Sequence, residues 1–258
     1  MPKTILVIPD QHAHPDFPND RADWVGHLIV DVRPDIVVNM GDAADMASLS
    51  SYDRGKRSFQ GKSYAKDIES HLEFQDRMWA PSRRAKKKLP ESYVLEGNHE
   101  HRIEKALDLN PELIGTVDVK DFEFDFFYDH IIPYDGALPG MVEIEGITFA
   151  HYLTSGIKGL PIGGEHAAHN LITKQLKSCV VAHSHTTDYS VRTMATGQRV
   201  QAVVAGVYQD YEAPWAGHQV NKLWWPGVVI LHNAVGGTFD PQWIGLNVLK
   251  NAYENRRE

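Results

Sequence analysis

Residues 94–102 read VLEGNHEHR, an apolar run that passes directly into a polar turn. The same arrangement occurs twice nearer the N-terminus, where residues 4–9 (TILVIP) precede Asp10 and residues 36–39 (IVVN) come just before Gly41. Short apolar runs that alternate with helical patterns are typical of α/β proteins with crossover connections. We therefore predict a strand at each run and a functional site at the strand ends, since open α/β sheets bind ligands there.

The rest of the chain predicts more strands and a few helices. Hydrophobic periodicity favours helices over residues 21–32, over about 64–88 with a kink or break at Pro81, and over the segment after the GNHEH turn. A further helix is predicted at about 165–176. Alternating runs predict strands at residues 141–144, 147–151, 179–182, 189–193, 199–205 and 228–232. The whole chain, residues 1–258, is therefore expected to fold as one α/β domain.

Composition limits the class of protein. The formal net charge of −8 excludes a uniformly basic nucleic-acid-binding surface, although a local basic patch is compatible with it. Fourteen histidines are a high count, and neutral imidazole is a common transition-metal ligand. The single cysteine, Cys179, excludes an intrachain disulfide and falls in a predicted core strand. A single cysteine fits a reducing compartment, and we therefore expect a cytoplasmic protein. No apolar run reaches the ~18–20 residues of a membrane span.

Side chains that bind metals follow five of the predicted strands. Taken singly, each group is better explained by a turn, a helix cap or a buried histidine. Five strand ends that all carry carboxylate, imidazole or amide side chains are instead typical of a paired-metal site. Such a site needs one carboxylate to bridge two cations and other ligands to complete each coordination shell. The five groups are Asp10-Gln11-His12, Gly41-Asp42-Ala43-Ala44-Asp45, Gly97-Asn98-His99-Glu100, His151 and His183-Ser184-His185.

In this order the five groups resemble the motifs of the calcineurin-like metallophosphoesterase superfamily. The resemblance covers residues 10–185 and consists of Asp-x-His, Gly-Asp-x-x-Asp, Gly-Asn-His-Glu, a lone histidine and His-x-His. It implies an α/β sandwich in which two mixed β-sheets pack face to face between flanking α-helices, with the ligands on loops at one end. The aromatic-rich region of about 186–258 is then expected to complete the second sheet.

The resemblance also implies two divalent transition-metal ions, with Mn²⁺ expected first and iron, zinc, nickel or cobalt as alternatives. His99 matches a histidine that binds no metal but donates a proton to the leaving oxygen or stabilises charge on the phosphoryl group. Asp45 matches the carboxylate that orients this histidine. The implied ligands are Asp10, His12, Asp42 and His185 for the first metal, and Asp42, Asn98, His151 and His183 for the second, with Asp42 as the bridge.

The implied reaction is phosphoester hydrolysis by a metal-bound hydroxide that attacks in line with the leaving oxygen. Two departures from the family pattern bear on this site. Ala182 stands where the last motif usually has glycine, and the two histidines after it are still expected to converge. Met46-Ala47 replaces the Arg-Gly pair of the protein Ser/Thr phosphatases, which argues against a phosphoprotein substrate because that arginine clamps phosphate.

Three arginines are candidates for the missing clamp. Arg102, in the first turn of the helix after His99, is explained equally well as a solvent-exposed helical residue. Arg54 and Arg57, in the polar segment 48–63, are second candidates for substrate binding. Glu100 is explained by its place in the first turn of a helix, where the macrodipole favours an acidic residue.

Two other features have ordinary explanations beside functional ones. The basic run RRAKKK at residues 83–88 fits a solvated helix end better than a nucleic-acid patch. The aromatic residues of the C-terminal region could stack a nucleobase, but core packing or a subunit interface explains them better. These aromatic residues are Tyr208, Tyr211, Trp215, Trp224, Trp225 and Trp243.

The favoured function is a phosphodiesterase or nuclease-type activity on a nucleotide or nucleic acid, with a phosphomonoesterase as the close alternative. His12 and His14 also form a His-x-His pair that allows an amidohydrolase, which would need a barrel of eight parallel strands. A metal-free scaffold of the same fold is the non-enzymatic alternative, although no ligand of the family pattern is missing. The expected partner is a phosphoester substrate and not a membrane, and a homo-oligomer is left open.

Overall fold

The structure, a computed structural model, describes residues 1–51, 53–86 and 88–256, which contain thirteen β-strands, seven α-helices and four short 3₁₀-helices. The strands are β1 (Lys3–Ile8), β2 (Ile36–Asn39), β3 (Glu91–Leu95), β4 (His130–Ile132), β5 (Met141–Ile144), β6 (Ile147–Ala150), β7 (Thr154–Ser155), β8 (Leu160–Pro161), β9 (Cys179–Val181), β10 (Thr187–Thr193), β11 (Arg199–Ala205), β12 (Gly227–Val235) and β13 (Thr238–Gly245). The helices are α1 (Asp20–Val32), α2 (Tyr64–Arg84), α3 (Arg102–Leu109), α4 (Phe124–Phe127), α5 (Ala167–Gln175), α6 (Gly217–Asn221) and α7 (Leu246–Tyr253).

The first sheet is mixed and has six strands in the order β13-β12-β1-β2-β3-β4. β1 to β4 run parallel to one another, whereas β12 is antiparallel to β1 and β13 is antiparallel to β12. Because parallel strands share a direction, β1, β2 and β3 end at the same edge of the sheet. The polar turns that follow these three strands therefore meet at that edge.

The second sheet has five strands in the order β10-β11-β9-β6-β5. β6, β9 and β11 run parallel, and β5 and β10 are antiparallel strands at the two edges. His151 follows β6 directly, and His183 comes two residues after β9. The second sheet therefore supplies its own histidines at the ends of adjacent parallel strands.

Alternating side chains of β1 pack into two separate cores. Leu6 and Ile8 pack with residues of α1 and α2, whereas Ile5 and Val7 pack with residues of the second sheet. This alternation follows from the two-residue repeat of a strand. A third core, which includes Cys179, joins the second sheet to α5. The result is a layered arrangement of helices, sheet, sheet and helix.

The predicted class, an α/β sandwich of two mixed sheets with flanking helices, is confirmed. The helix predicted at 64–88 continues through Pro81 and ends at Arg84; its predicted last turn includes Lys87, which lies outside the described residues. The C-terminal region divides between the sheets, since β10 and β11 join the second and β12 and β13 join the first. The expectation that this region completes the second sheet therefore holds for β10 and β11 and not for β12 and β13.

The topology also excludes the amidohydrolase alternative. The described strands form open mixed sheets of six and five strands plus one short pair, and not a barrel of eight parallel strands. None of the seven described helices combines the length and apolar content needed to cross a membrane.

Candidate metal centre

All seven candidate ligands converge where the two sheets end side by side. The turns after β1, β2 and β3 supply four of them, and the turns after β6 and β9 supply three. Three groups of His and Asp side chains have ligand atoms that lie within 4.8 Å of one another, close enough to hold a metal ion. The first group is Asp10, His12 and His185, the second is Asp42, His151 and His183, and the third is His12, Asp42 and His99.

The first group brings two imidazoles and a carboxylate together. The Nε2 atoms of His12 and His185 lie 3.1 Å apart, and the His185 Nε2 lies 3.2 Å from the Asp10 Oδ2. All three side chains are buried. The Oδ1 atom of Asp10 is buried without a hydrogen-bond partner in the described part of the chain. A cation is the partner that such inward-facing nitrogen and oxygen atoms fit, since metals bind imidazole lone pairs and carboxylate oxygens.

The second group lies on the other side of Asp42. The His151 Nε2 lies 3.0 Å from the Asn98 Oδ1, 3.2 Å from the His183 Nδ1 and 3.4 Å from the Asp42 Oδ2. The main-chain carbonyl of Met40 lies 2.9 Å from the His151 Nδ1 and accepts its proton, so that in the neutral ring the Nε2 lone pair faces the other ligand atoms. Four acceptors thus point at one small volume.

Charge in this volume favours a cation. Burial lowers the pKa of His151, but the carboxylates of Asp42 and Asp10 outweigh burial and raise this pKa to about 10. Burial also raises the pKa of Asp42, and nearby His151 and His99 outweigh it, so that the Asp42 pKa lies well below its usual range. Burial likewise raises the pKa of Asp10, and His151 outweighs it, so both carboxylates stay ionised. Without a metal His151 is protonated and supplies the balancing charge; a bound metal ion would displace its Nε2 proton and take over that role.

Four of the candidate ligands adopt a left-handed main-chain conformation. The angle φ is +44° at His12, +48° at Asp42, +65° at His183 and +59° at His185. Glycine adopts this conformation freely and asparagine and aspartate tolerate it, whereas for other residues, including the three histidines, it costs on the order of 1–2 kcal/mol. Such strain persists where the surroundings fix it, and it clusters at functional sites. Of the eleven non-glycine residues with positive φ in the described part of the chain, four are candidate ligands, so this strain is concentrated at the ligand turns without being restricted to them.

The carboxylate of Asp42 is held by the turn that follows β3. The main-chain N–H of His99 donates to the Asp42 Oδ1 over 2.9 Å, which leaves Oδ2 to face both ligand groups. Gly97 allows this close approach, because a Cβ at position 97 would collide with the side chain and main chain of Asp42. Gly41, with φ of +96°, lies against Gly97 in the same way. The two glycines therefore set how closely the second and third ligand turns meet.

Glu100 has a larger role than the helix macrodipole explains. Its buried carboxylate accepts main-chain N–H bonds from Gly97 at 2.7 Å, Asp42 at 2.9 Å and Ala43 at 2.8 Å. Burial, followed by the charge of Asp42, raises the pKa of Glu100, and the N–H donor of Gly97 opposes the rise. Three N–H donors favour the ionised form. Glu100 therefore joins the turns after β2 and β3, and the sequence signal for this role is the fourth residue of GNHE.

Arg21 supports the turn after β1 through hydrogen bonds to its main chain, a role that the sequence did not predict. Its fully buried guanidinium donates to the carbonyl oxygens of Gln11, His12 and Tyr208 over 2.8–3.2 Å, and to the Asp210 carboxylate. His12 has a left-handed main-chain conformation, and its carbonyl oxygen accepts a hydrogen bond from the charged Arg21 guanidinium. The available signal is that Arg21 lies on the apolar face of α1, where a charge must find buried partners.

His99 and Arg102 form one unit beside the ligands. The Asp45 main-chain carbonyl lies 2.6 Å from the His99 Nδ1, and an Arg102 guanidinium nitrogen lies 2.9 Å from the His99 Nε2. Arg102 has no acceptor, so Nε2 accepts from Arg102 and Nδ1 donates to the carbonyl. The Asp45 carboxylate is farther away, at 3.6 Å from Nδ1. The main chain of Asp45 therefore orients the ring, whereas a carboxylate was expected to do so.

The charge state of His99 follows from these contacts. Burial and the Arg102 guanidinium lower the pKa of His99 to about 3, so the imidazole is neutral at neutral pH. Its Nε2 also lies 3.7 Å from the Asp42 Oδ2, within the third possible ligand group. Because Arg102 occupies the Nε2 lone pair, this geometry matches a residue that binds no metal.

A cavity of about 450 Å³ opens above the candidate ligands. Arg102 is half-buried and lines it, so the explanation as a solvent-exposed helical arginine does not hold. Arg54 and Arg57 are exposed and lie outside the described cavity lining. Lys56, between them in sequence, lines it instead. The complete described lining is Asp42, Asp45, Ala47, Ser50, Asp53, Lys56, Asn98, His99, Arg102, His183, His185 and Trp215.

The remaining residues singled out by sequence lie away from the ligands or support them. Cys179 is fully buried in the third core, and burial raises the pKa of its thiol to about 12, as expected of an inert core residue. Arg83 and Arg84 of the basic run are exposed at the end of α2. Ala182 is buried, and the histidines after it still converge, His183 on the second group and His185 on the first.

Comparison with known proteins adds little to this picture. Neither a protein-family model nor a curated protein matches the chain. The crystal structure of TT1561 of Thermus thermophilus is similar with 11% sequence identity over 95% of this chain and 100% of that chain, at a TM-score of 0.41. A second crystal structure is similar with 12% identity over 94% of this chain and 99% of that chain, at a TM-score of 0.37. Similarity at this level supports no inference about function, which must come from the site itself.

Proposed function

We propose that the protein is a metal-dependent phosphoester hydrolase of the calcineurin-like metallophosphoesterase type. The observation that carries the proposal is the pair of ligand groups on either side of Asp42, beside a guanidinium that lines the same cavity. Phosphoester hydrolysis needs positive charge around the phosphoryl oxygens, and this arrangement can supply it from two directions. The preferred substrate class in this proposal is a phosphodiester of a nucleotide or nucleic acid.

The proposal places two divalent ions in the site. The first would be held by Asp10, His12, Asp42 and His185, and the second by Asp42, Asn98, His151 and His183. We expect Mn²⁺ first, because the set mixes carboxylate and amide oxygens with imidazole nitrogens. When bound, such a pair supplies Lewis acidity, an activated water and charge neutralisation at the phosphoryl group.

The chain's own side chains complete the site. Arg102 can reach a phosphoryl oxygen with the guanidinium that now donates to His99 and to the carbonyl oxygens of Asp45 and Met46. It would thus replace the arginine that the Met46-Ala47 departure removes. His99 keeps this guanidinium at the edge of the ligand groups, and the Asp45 carbonyl keeps the His99 ring in place.

The first test is metal stoichiometry combined with a substrate panel. The protein is loaded with Mn²⁺, desalted and analysed for metal, and its hydrolysis of bis-p-nitrophenyl phosphate is compared with that of p-nitrophenyl phosphate. We expect about two ions per chain and faster hydrolysis of the diester. Fewer than one ion per chain would favour the metal-free scaffold. A strong preference for the monoester would instead support a phosphomonoesterase.

A pair of variants separates ligand from non-ligand roles. Asp42→Asn should lose both activity and metal, with an affinity loss at least as large as the ~10–100-fold typical of residues that merely support a ligand. His99→Ala should keep its metal and lose roughly 10²–10³ in kcat, because Arg102 would lose the contact that positions its guanidinium. His101→Ala is the matched control, since His101 stacks on Tyr134 outside the described cavity lining and should behave as wild type. Loss of metal from His99→Ala would show that His99 is a ligand.

A further inference from the structure

A second cavity of about 510 Å³ adjoins the one above the candidate ligands. We call the cavity over the ligands the first lobe and its neighbour, lined by Phe17, Lys62, Tyr211 and Pro214 among others, the second lobe. Trp215, Lys56 and Asp45 line both lobes, so the two form one continuous cleft. A substrate whose reacting group lies on the ligands therefore has room for a second, larger part in the second lobe.

The second lobe has flat aromatic walls. Phe17 and Tyr211 stack with ring centroids 3.9 Å apart and planes within 6°. Trp215 is 63% exposed, which is unusual for so large an apolar side chain. It contacts Trp224 at 5.8 Å between ring centroids, and Trp224 in turn packs edge-on against the candidate ligand His185 at 4.3 Å. The exposed indole is thus linked through Trp224 to the ligand turn.

The junction of the lobes holds one cationic side chain, Lys56, together with the carboxylates of Asp45 and Asp53. Lys62 is already engaged with His14 at 3.1 Å, and Asp53 accepts a hydrogen bond from Ser58 at 2.8 Å. Within the ranges that the structure describes, Lys56 has neither an ion pair nor a hydrogen bond through its side chain. Moving outward from the ligands, the cleft therefore presents metal-binding groups, then a junction with one free ammonium group and two carboxylates, then aromatic walls.

This order matches a phosphate ester linked through a sugar to a nucleobase. We propose that the second lobe binds the nucleoside part of the substrate, with the base stacked on Trp215 and Lys56 beside the phosphate. The assignment rests on the proposed function in one respect: the phosphoester group is taken to lie in the first lobe. An aromatic base gains more from an exposed indole than a sugar phosphate does, because stacking requires a second π-face.

The test uses adenosine, which has no phosphoester bond, so that binding is measured apart from catalysis. Adenosine and ribose are titrated into Mn²⁺-loaded protein and observed by saturation-transfer difference NMR. Wild type should bind adenosine but not ribose, and Trp215→Ala should weaken adenosine binding by about tenfold. Trp215→Phe should retain most of the binding because it keeps a ring. Leu223→Ala, at an exposed residue of the same segment outside both described lobes, is the matched control.

The outcomes distinguish the two proposals. Equal binding of adenosine and ribose, or unchanged adenosine binding in Trp215→Ala with a folded protein by circular dichroism, would overturn the nucleoside site. If Trp215-dependent binding is found but no phosphoester of the panel is hydrolysed, the nucleoside site is supported and the proposed hydrolase function is wrong. If hydrolysis is found, Trp215→Ala should raise KM for a nucleotide ester about tenfold while kcat changes little.

Discussion

Glu100 shows how one buried carboxylate can hold two turns of a candidate metal site together although it belongs to no candidate ligand group. Its oxygens accept N–H bonds from both the Asp42 turn and the Gly97 turn. Each of those N–H groups would be a buried unpaired donor without it, at a cost of about 1–3 kcal/mol apiece. The position of the candidate bridging carboxylate therefore depends on a residue that lies outside every candidate ligand group.

Glu100→Gln tests this dependence. The substitution keeps the shape but replaces one acceptor oxygen by an N–H₂ group that faces main-chain donors, so the free energy of unfolding should fall by about 1–3 kcal/mol. Mn²⁺ affinity should fall as well, by roughly 10–100-fold, as for other residues that support ligands. Urea denaturation and titration calorimetry measure both. Glu104→Gln, an exposed position of α3, is the control; equal effects of the two substitutions would remove the special role of Glu100.

At the level of elements, the site depends on how closely the turns after β2 and β3 approach. Gly97→Ala should separate these turns, because the added methyl group would meet the Asp42 side chain and main chain. We expect the metal affinity to fall at least tenfold and the unfolding free energy to fall by ~1–3 kcal/mol from the overpacking. Gly163→Ala is a matched control, since a Cβ there would meet nothing within 4 Å. Wild-type metal affinity in Gly97→Ala would contradict the close-approach explanation.

The elements that the sequence predicts best are those with local signals. The sequence predicts β1 to β3 and the turns after them, because each strand contains a short apolar run that is followed closely by polar residues. β13 was missed because Pro241 interrupts its pattern, and the structure places this strand at the edge of the first sheet, where proline is tolerated. The edge position of β13 therefore explains both its proline and its partly exposed side chains.

Contacts between distant segments could not be predicted in the same way. The pairing of His99 with Arg102 is local, but the carbonyl that orients His99 comes from Asp45, 54 residues earlier. Lys56 replaces Arg54 and Arg57 at the cavity because of how the polar loop turns, which residue types alone do not encode. The ligand set could be named from motifs, whereas its supporting contacts required the fold.

At the scale of the whole molecule, one buried histidine makes stability depend on pH apart from the metal centre. His71 on α2 lies edge-on to Phe122 and Phe124, and its Nε2 is 3.1 Å from the Phe122 carbonyl. Burial lowers its pKa from 6.5 to about 4. The unfolded chain therefore binds a proton more readily than the folded one, and stability that is present above pH ~6.5 is lost as the pH falls toward ~4.

Comparing wild type with His71→Leu isolates this contribution. Between pH 7 and 4.5, in chelator, wild type should lose more unfolding free energy than His71→Leu, by up to about 3 kcal/mol. The difference cancels the titration of histidines that both proteins share. His169→Leu, at an exposed position of α5, should retain the wild-type pH dependence. If the unfolding free energy changed equally with pH in wild type and in His71→Leu, His71 would not be the cause of the loss.

The buried guanidinium of Arg21 has a consequence for moving this centre between proteins. Four of the seven candidate ligands lie within the first 98 residues, which makes the N-terminal half look like a portable unit. Yet Arg21 completes its hydrogen bonds on Tyr208 and Asp210, more than 185 positions later, and β1 is paired with β12. A graft of the N-terminal turns alone would leave the guanidinium under His12 without those partners. Transplanting the centre into another scaffold therefore requires both ends of the chain to be carried together.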